Sequence, residues 1–233
     1  MSRPIELILF GARGNTPEIL ETMRDINAAN PAGPAYVCVG CLDDEKTEWG
    51  RVRHGVSVLG PVSSARDFPS ARFVNGIGGP ASFWRRAEIV ANAGVTPDRF
   101  ETLVHPTAAV ASTAHVGRGA VLFPHVSVGS YATIGDHVLV LPSSVVSHDV
   151  RVGAHTCVAA GACLSSCVSI GTSVYLGTNC SIIGSVRIGD RALVGMGAVV
   201  LDDVDDEAVV VGNPAKVLRA AHMDAAPAAG RLQ

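Results

Sequence analysis

Aliphatic residues recur at every sixth position through the second half of the chain. The spacing holds 17 times in succession without a break. A run of this length is not expected by chance, and a fixed short period is the mark of a repeat architecture. The aliphatic positions are Val104, Val110, Val116, Leu122, Val128, Ile134, Val140, Val146, Val152, Val158, Leu164, Ile170, Leu176, Ile182, Ile188, Val194 and Val200.

Each six-residue unit carries a second inward-facing position. Four residues after the aliphatic one stands a small or β-branched residue, as at Ala114, Thr156 and Ala198. One large and one small inward residue in six predict a short strand followed by a turn. Three such units close a triangular coil of 18 residues, and coils stacked about 4.8 Å apart pair every strand with neighbours above and below. Residues 104–200 supply between five and six coils of a parallel β-helix.

Glycine directly follows the aliphatic residue in eight of the units. We expect these glycines to provide the permissive backbone that a tight turn needs. They are Gly117, Gly129, Gly135, Gly153, Gly171, Gly177, Gly189 and Gly195.

The first hundred residues follow a different pattern. Ile5 to Phe10 has the pattern of a buried strand, a glycine turn follows, and Pro17 to Ile26 has helical spacing behind Thr16. Three more strand candidates lie at residues 36–42, 56–59 and 72–76, and a second helix is predicted over about 82–93. Strands alternating with helices predict a small parallel α/β domain of Rossmann-like type.

These patterns divide the chain into three segments. We predict an α/β domain over residues 1–100 and a β-helix over residues 101–212. A C-terminal turn, a short helix and a tail occupy residues 213–233. The tail is rich in Ala, Pro and Gly from about Ala225, which predicts disorder.

Composition excludes several classes of function. The chain has 48% apolar residues, and its 18 Lys and Arg against 21 Asp and Glu give a net charge of -3. No basic excess is present to neutralise a nucleic-acid backbone, and no apolar stretch is long enough for a membrane span. We expect a cytoplasmic protein. Six cysteines are too few for a disulfide scaffold, and the single C-x-x-C at Cys38 and Cys41 lacks the second pair of a structural zinc site. No metal is therefore predicted.

One turn carries residues suited to proton transfer. His148 lies two residues after the inward Val146, which places it at a corner of the prism, and Asp149 follows it. Histidine is the usual acceptor for the proton of an amine or hydroxyl nucleophile. An isolated turn histidine is more often without function, so this position depends on its context.

That context resembles one group of hexapeptide-repeat acyltransferases. Three stretches carry the resemblance, at residues 103–108, 141–153 and 211–216, together with the turn Gly11-Ala12-Arg13-Gly14-Asn15 and the segment Cys41-Leu42-Asp43-Asp44. The chain is similar to bacterial sugar acetyltransferases of the bacillosamine N-acetyltransferase and sialic acid O-acetyltransferase type. The resemblance implies a left-handed parallel β-helix, a homotrimer, and acetyl-CoA held between adjacent β-helices.

The resemblance also implies roles for residues of the β-helix. His148 would be the general base, with Asp149 tuning it where relatives have Glu. Cys157 occupies the place of a second histidine that contacts acetyl-CoA in relatives, and the oxyanion would be stabilised by a backbone amide. The positions implied to line the path of the cofactor are Ser166, Gly177, Gly195 and Gly197, with Pro214 and Lys216 near the nucleotide phosphates.

In the N-terminal domain the resemblance implies a site for a nucleotide-linked sugar. Amides at a helix start bind phosphate, and carboxylates at a strand end bind ribose or base. The implied residues are Arg13, Gly14, Asn15, Asp43 and Asp44, with Asn15 in the place of a histidine in relatives. The resemblance therefore predicts an acetyl-CoA-dependent N-acetyltransferase that acts on a nucleotide-linked amino sugar, a 4-amino-4,6-dideoxyhexose, in surface polysaccharide synthesis.

Three alternatives remain open at this point. The first is O-acetylation of a sugar by the same chemistry. The second is a zinc-dependent lyase like the carbonic anhydrases that share this fold, because His137 and His155 are one coil of 18 residues apart and should stack. No third histidine is in register with that pair. The third is a scaffold without catalytic activity, which a solvent-inaccessible His148 would favour.

Overall fold

The computed structural model describes residues 3–220, so the tail predicted from Ala225 lies outside the described residues. The N-terminal part is an α/β domain, as the sequence predicts. Its strands and α-helices are β1 (Ile5–Phe10), α1 (Thr16–Ala29), β2 (Tyr36–Leu42), β3 (Val52–Arg53), β4 (Val56–Gly60), β5 (Arg72–Asn75) and α2 (Arg86–Asn92). Short 3₁₀ helices cover Lys46–Glu48, Val62–Asp67, Phe83–Arg85 and Pro97–Arg99.

The sheet of this domain has the order β3-β4-β2-β1-β5. Strands β4, β2, β1 and β5 run parallel, and only the short edge strand β3 is antiparallel to its neighbour. The apolar residues of β1 fill the centre, with Leu7 to Phe10 fully buried. Because the strands are parallel, their carboxyl ends meet at one edge, where such sheets usually bind ligands.

Two-residue strands follow at the predicted period of six. They are β6 (Leu103–Val104), β7 (Ala109–Val110), β8 (His115–Val116), β9 (Val121–Leu122), β10 (Ser127–Val128), β11 (Thr133–Ile134), β12 (Leu139–Val140), β13 (Val145–Val146), β14 (Arg151–Val152), β15 (Cys157–Val158), β16 (Cys163–Leu164), β17 (Ser169–Ile170), β18 (Tyr175–Leu176), β19 (Ser181–Ile182), β20 (Arg187–Ile188), β21 (Leu193–Val194) and β22 (Val199–Val200). Two longer strands, β23 (Ala208–Val211) and β24 (Lys216–Ala220), close the described chain.

The short strands form the three faces of a prism. Each pairs in parallel with the strand 18 residues away, as Val145 does with Cys163. The domain face contains β6, β9, β12, β15, β18, β21 and β23; the second face contains β7, β10, β13, β16, β19 and β22; and the third face contains β8, β11, β14, β17 and β20. The second residue of each strand points inward, so the predicted aliphatic series forms the core.

Burial in this series depends on the position in the stack. From Leu122 to Val200 every aliphatic residue of the series is buried, but Val104 is 39% exposed. Val104 belongs to the first coil, which has no coil beneath it. The period alone therefore predicts the inward direction but not the exposure of the end coil.

The glycines that follow the aliphatic residues have a different purpose from the predicted one. The left-handed backbone conformation falls two residues later, as at Asp149 (φ 58°) and Cys167 (φ 62°). A Cβ on the glycines of one edge would lie 2.3 to 2.7 Å from atoms of the next coil. These glycines permit close stacking of the coils. They are Gly117, Gly135, Gly153, Gly171 and Gly189.

The α/β domain covers the domain face of the prism. The outward residues Val121, Leu139 and Cys157 on that face are at most 1% exposed. At the base of the prism, His105 Nε2 lies 2.8 Å from Asp25 Oδ2 of helix α1. The two parts of the chain therefore share one continuous apolar core.

One element differs from the prediction. Residues 216–220 form strand β24 and not a short helix. This strand pairs antiparallel with β23, and Val211 lies opposite Lys216. The pairing satisfies the backbone of the last strand on the domain face, which has no further coil above it, and this gain outweighs local helix propensity.

Candidate active site

The turn between β13 and β14 presents His148 and Asp149 to solvent. Their side chains are 57% and 52% exposed, and His148 Nδ1 lies 2.7 Å from Asp149 Oδ2. An ionised carboxylate only accepts hydrogen bonds, so Nδ1 carries the proton and donates it to Asp149. The lone pair is then on Nε2, where it can accept a proton from a nucleophile. Asp149 thus orients His148 as a base. A solvent-inaccessible His148 would have favoured a scaffold without catalytic activity, but His148 is exposed.

Ser166 lies on the same edge of the prism, one coil further along. The amides on either side of it are occupied, since Ser165 donates to the carbonyl of Ile182 and Cys167 donates to the carbonyl of His148. Within the described part of the chain, the amide of Ser166 has no carbonyl partner. A backbone N–H beside a base is suited to stabilise a developing oxyanion.

The other predicted cofactor residues of the coils lie on a different edge. Gly177 and Gly195 begin the turns after β18 and β21, between the domain face and the second face, and Gly197 ends the later turn. His148 and Ser166 lie between the second and third faces. The width of the second face therefore separates the two groups, and one chain does not bring them together.

Pro214 lies in the C-terminal turn that precedes β24, and Lys216 is the first residue of β24. Both are exposed. Lys216 lines a cavity of about 180 Å³ together with Asp202 and Asp203, and Pro214 is outside its lining. The cationic side chain is thus near the top of the prism, away from the His148 turn.

Cys157 does not line a groove. It is 1% exposed, and the position of a Cβ on Gly78 would lie 2.6 Å from its sulfur. Burial raises the pKa of this thiol, and the neighbouring Arg86 opposes that rise. The cause is its place on the domain face, which the α/β domain covers. In this structure Cys157 packs the interface and is out of reach of a ligand at the His148 turn.

The carboxyl ends of β1, β2 and β5 form a pocket of about 350 Å³. Arg13, Gly14 and Asp43 line it, and a neighbouring cavity of about 450 Å³ adds Asp44 to Arg13 and Asp43. Four of the five predicted substrate residues therefore lie together. The chain places them there because the turn after β1 and the end of β2 meet at the same edge of a parallel sheet.

The predicted residues differ in how far the fold already uses them. Asn15 donates from Nδ2 to the carbonyl of Gly76 at 3.0 Å and so fixes the turn instead of facing the pocket. Asp43 Oδ2 accepts from the amide of Ala12 at 2.8 Å, and Asp44 Oδ1 accepts from the amide of Val62 at 2.9 Å. Arg13 is exposed at the pocket rim.

Sequence reasoning missed the opposite wall of this pocket. Gly76 to Gly79 and Ser82 line the first cavity, and Arg85 lines the second. The signal was present, since the Gly78-Gly79-Pro80 turn joins a strand to a helix in the same way as the turn after β1. Arg13 and Arg85 place two cations around a site that also holds carboxylates.

Arg86 joins this wall to the β-helix and was also missed. Its side chain is fully buried, and Nε donates to the carbonyl of His155 at 2.9 Å. Its two terminal nitrogens donate to the carbonyls of Ile77 and His137. Burial lowers the pKa of the guanidinium, and within the described residues no carboxylate lies at ion-pair distance. One side chain thus connects the pocket loop to two successive coils.

His137 and His155 stack as predicted, with ring centroids 5.0 Å apart and planes at 9°. Burial, and then the charges nearby, lowers the pKa of each to about 4, so both are neutral near pH 7. Phe100 packs edge-on against His137 at 4.6 Å. The pair belongs to the packed interface around Arg86, which gives no support to a zinc-dependent lyase.

In the described part of the chain, one cluster combines three groups able to ligate a metal. It consists of His148, Asp149 and Cys167. None of the helices in residues 3–220 has the length and apolar character needed to cross a bilayer.

Comparisons with known proteins agree with this architecture. Residues 131–166 match the family model of the bacterial transferase hexapeptide (six repeats). A search of curated proteins gave no match.

Several solved structures are similar over most of the chain. PerB from Caulobacter crescentus is 24% identical with a TM-score of 0.78, covering 91% of this chain and 96% of that one. The acetyltransferase domain of PglB from Neisseria gonorrhoeae is 25% identical with a TM-score of 0.78, covering 91% and 99%. WeeI from Acinetobacter baumannii is 21% identical with a TM-score of 0.59, covering 92% and 100%.

These matches confirm the resemblance and the fold that the sequence predicts. The β-helix is left-handed, as in the acetyltransferases matched, and an α/β domain precedes it. Residues 131–166 thus match the hexapeptide repeat of this family, and the chain shares its fold with the matched structures.

Proposed function

We propose that the chain is an acetyl-CoA-dependent N-acetyltransferase acting on the amino group of a nucleotide-linked amino sugar. The observation that carries this proposal is the exposed His148–Asp149 pair beside the amide of Ser166, which has no partner within residues 3–220. Such an arrangement supplies a base and an oxyanion donor, which are the two requirements of acyl transfer to an amine. No metal takes part in the proposed reaction.

In the proposed reaction, His148 Nε2 accepts a proton from the sugar amine as the nitrogen attacks the thioester carbonyl. The Ser166 amide donates to the carbonyl oxygen while it carries negative charge. The carbon–sulfur bond then breaks, and the protonated imidazole returns the proton to the CoA sulfur. Asp149 holds the Nδ1 proton throughout and so keeps Nε2 in the form that accepts.

The pocket of the α/β domain supports a nucleotide-linked substrate. Its carboxylates can accept from ribose or base hydroxyl and amino groups, and Arg13 and Arg85 can neutralise a diphosphate. PerB was solved with CoA and GDP-perosamine, including variants in which one histidine is replaced by Asn or Ala. The PglB domain was solved with acetyl-CoA. By analogy, the proposed sugar is a 4-amino-4,6-dideoxyhexose destined for surface polysaccharide. The proposed location is the cytoplasm, which supplies both substrates.

The cofactor groove is proposed to form between two copies of the chain. His148 and Ser166 on one edge, and Gly177, Gly195 and Gly197 on another, are too far apart on one prism to line a single groove. A homotrimer would bring the edge that carries His148 in one chain against the edge that carries Gly177 in its neighbour. The second face that lies between them carries the short outward side chains Ala109, Ser127 and Ser181, which permit close approach.

Steady-state kinetics with acetyl-CoA and a panel of GDP-, UDP- and dTDP-linked 4-amino sugars tests the proposal. His148→Asn should lower kcat by roughly 10² to 10⁴, the usual contribution of a general base. Asp149→Asn should cost less, because it only orients and tunes the imidazole. His54→Asn is the matched control, since His54 is also an exposed turn histidine but lies in the α/β domain, between β3 and β4.

Mass spectrometry of the product identifies the acetylated atom. Acetylation of the amine in the wild type, with loss of turnover confined to the His148 and Asp149 variants, supports the proposal. Equal turnover of an analogue with a hydroxyl in place of the amine would instead indicate O-acetylation. Normal turnover of His148→Asn at saturating substrate would place the base elsewhere.

A further inference from the structure

Cys167 places a thiol in the turn next to the proposed catalytic turn, one coil further along. It lies 18 residues after Asp149, so the two side chains occupy the same place in successive coils. Both residues have the left-handed backbone conformation, with φ of 62° and 58°, and so project in the same direction. The amide of Cys167 donates to the carbonyl of His148 at 3.1 Å, which holds the two turns together. The thiol is exposed.

The three side chains form a compact set of metal ligands. One ligand atom from each of His148, Asp149 and Cys167 lies within 4.8 Å of the other two. In a tetrahedral zinc site, neighbouring ligand atoms are separated by about 3.3 to 3.6 Å, given metal–ligand bonds of about 2.0 to 2.3 Å. Because all three side chains are exposed, small side-chain rotations are enough to bring the ligand atoms from separations of up to 4.8 Å to those of a zinc site.

The chemistry of these ligands selects the kind of ion. A thiolate, an imidazole and a carboxylate together suit Zn²⁺, whereas Mg²⁺ and Ca²⁺ prefer sites made of oxygen atoms. We propose that the His148–Asp149–Cys167 cluster is a binding site for Zn²⁺ or a similar soft divalent ion, with a water in the fourth position. This site is separate from the proposed reaction, which uses no metal.

Occupation of the site would block the proposed base. If the metal binds Nε2, the lone pair that accepts the proton is taken. If it binds Nδ1, the ring proton must be on Nε2, and that nitrogen can only donate. Either mode removes a free acceptor from a neutral imidazole. The inhibition therefore rests on the proposed function, but the binding does not.

Competition with a chromophoric zinc chelator, under a phosphine reductant, measures the binding directly in the full chain. We expect Cys167→Ser and His148→Asn to weaken Zn²⁺ binding by roughly tenfold or more, since each loses one of three protein ligands. Cys163→Ser is the matched control, because Cys163 is also exposed but lies outside the cluster. With Co²⁺ as the probe, the wild type and Cys163→Ser should show a thiolate charge-transfer band that Cys167→Ser lacks.

Equal Zn²⁺ affinity of the wild type and Cys167→Ser would overturn the proposal, as would a cobalt spectrum unchanged by that substitution. Circular dichroism checks that the variants are folded. The activity assay is a separate arm, in which Cys167→Ser should need at least tenfold more Zn²⁺ for half inhibition while turning over normally without metal. Zinc binding that depends on Cys167 but does not inhibit would refute His148 as the base and leave the metal site in place.

Discussion

The buried guanidinium of Arg86 presents two opposing contributions to stability. Its nitrogens donate to the carbonyls of Ile77, His137 and His155, which have no other donor among the hydrogen bonds of residues 3–220. Against this, a charge without a neighbouring carboxylate has been taken out of water. Replacing Arg86 with Met removes the charge and the donors together while keeping much of the apolar volume.

The magnitudes indicate which contribution is larger. Three buried carbonyls left without donors cost about 1 to 3 kcal/mol each, or roughly 3 to 9 kcal/mol together. Relief of the buried charge returns several kcal/mol, and water entering the gap satisfies part of the rest. We expect a net destabilisation of about 3 kcal/mol. For a chain of this size that corresponds to a fall in Tm of roughly 6 to 12 °C.

Thermal unfolding followed by circular dichroism and calorimetry measures this difference. Arg85→Met is the matched control, because the neighbouring Arg85 is 53% exposed and its ion pair with Glu88, at 3.5 Å, should contribute less than about 1 kcal/mol. A Tm of Arg86→Met equal to or above that of the wild type would refute the reasoning, since it would mean that the desolvated charge outweighs the three hydrogen bonds.

Three further predictions concern the pocket, acid stability and the shared groove. Arg13→Ala should raise KM for the nucleotide sugar by about ten- to a hundredfold and leave KM for acetyl-CoA unchanged, whereas Asp44→Ala should also lower Tm because its carboxylate holds a backbone amide. The free energy of unfolding should fall as pH drops from about 6.5 to about 4. His137 and His155 have a pKa of about 4 in the folded chain, so the unfolded chain takes up protons over this range and the folded chain does not. Denaturation measured at a series of pH values should show that His137→Phe roughly halves this dependence. Gly197→Asp should be inactive because it loses acetyl-CoA binding. Mixed trimers of Gly197→Asp and His148→Asn chains should regain activity, because a site can then combine an intact His148 edge with an intact Gly197 edge. No recovery of activity would mean that both edges of a site come from one chain.

The repeat could be predicted because its cause is local and periodic. Inward residues at a spacing of six determine every coil, and the strands from Leu103 to Val200 appear where that spacing puts them. The glycines were placed correctly but explained by the wrong cause. A close approach between coils 18 residues apart is visible only after stacking, as the contact of Gly129 with the His148 backbone illustrates.

The site could be predicted only in part, for a related reason. His148 and Asp149 are adjacent in sequence, so their pairing needs no knowledge of the fold. The burial of Cys157 could not be predicted, because nothing in the hexapeptide pattern indicates which face a second domain covers. Arg86 carries no local signal, since its three partners are 9 to 69 residues away in the chain.

The same architecture explains why function and stability should separate in this protein. The core rests on inward positions, whereas His148 and Asp149, proposed for catalysis, and Cys167, proposed for metal binding alone, are exposed turn residues. Substitutions there should change catalysis or metal affinity with little effect on folding, since exposed positions usually alter stability by less than about 0.5 kcal/mol. Arg86 is the exception, because it connects the loop of the proposed nucleotide pocket to the coil that carries His155, seven residues beyond His148. A substitution at Arg86 should therefore affect stability and the KM for the nucleotide sugar together, whereas a substitution at His148 should affect turnover alone.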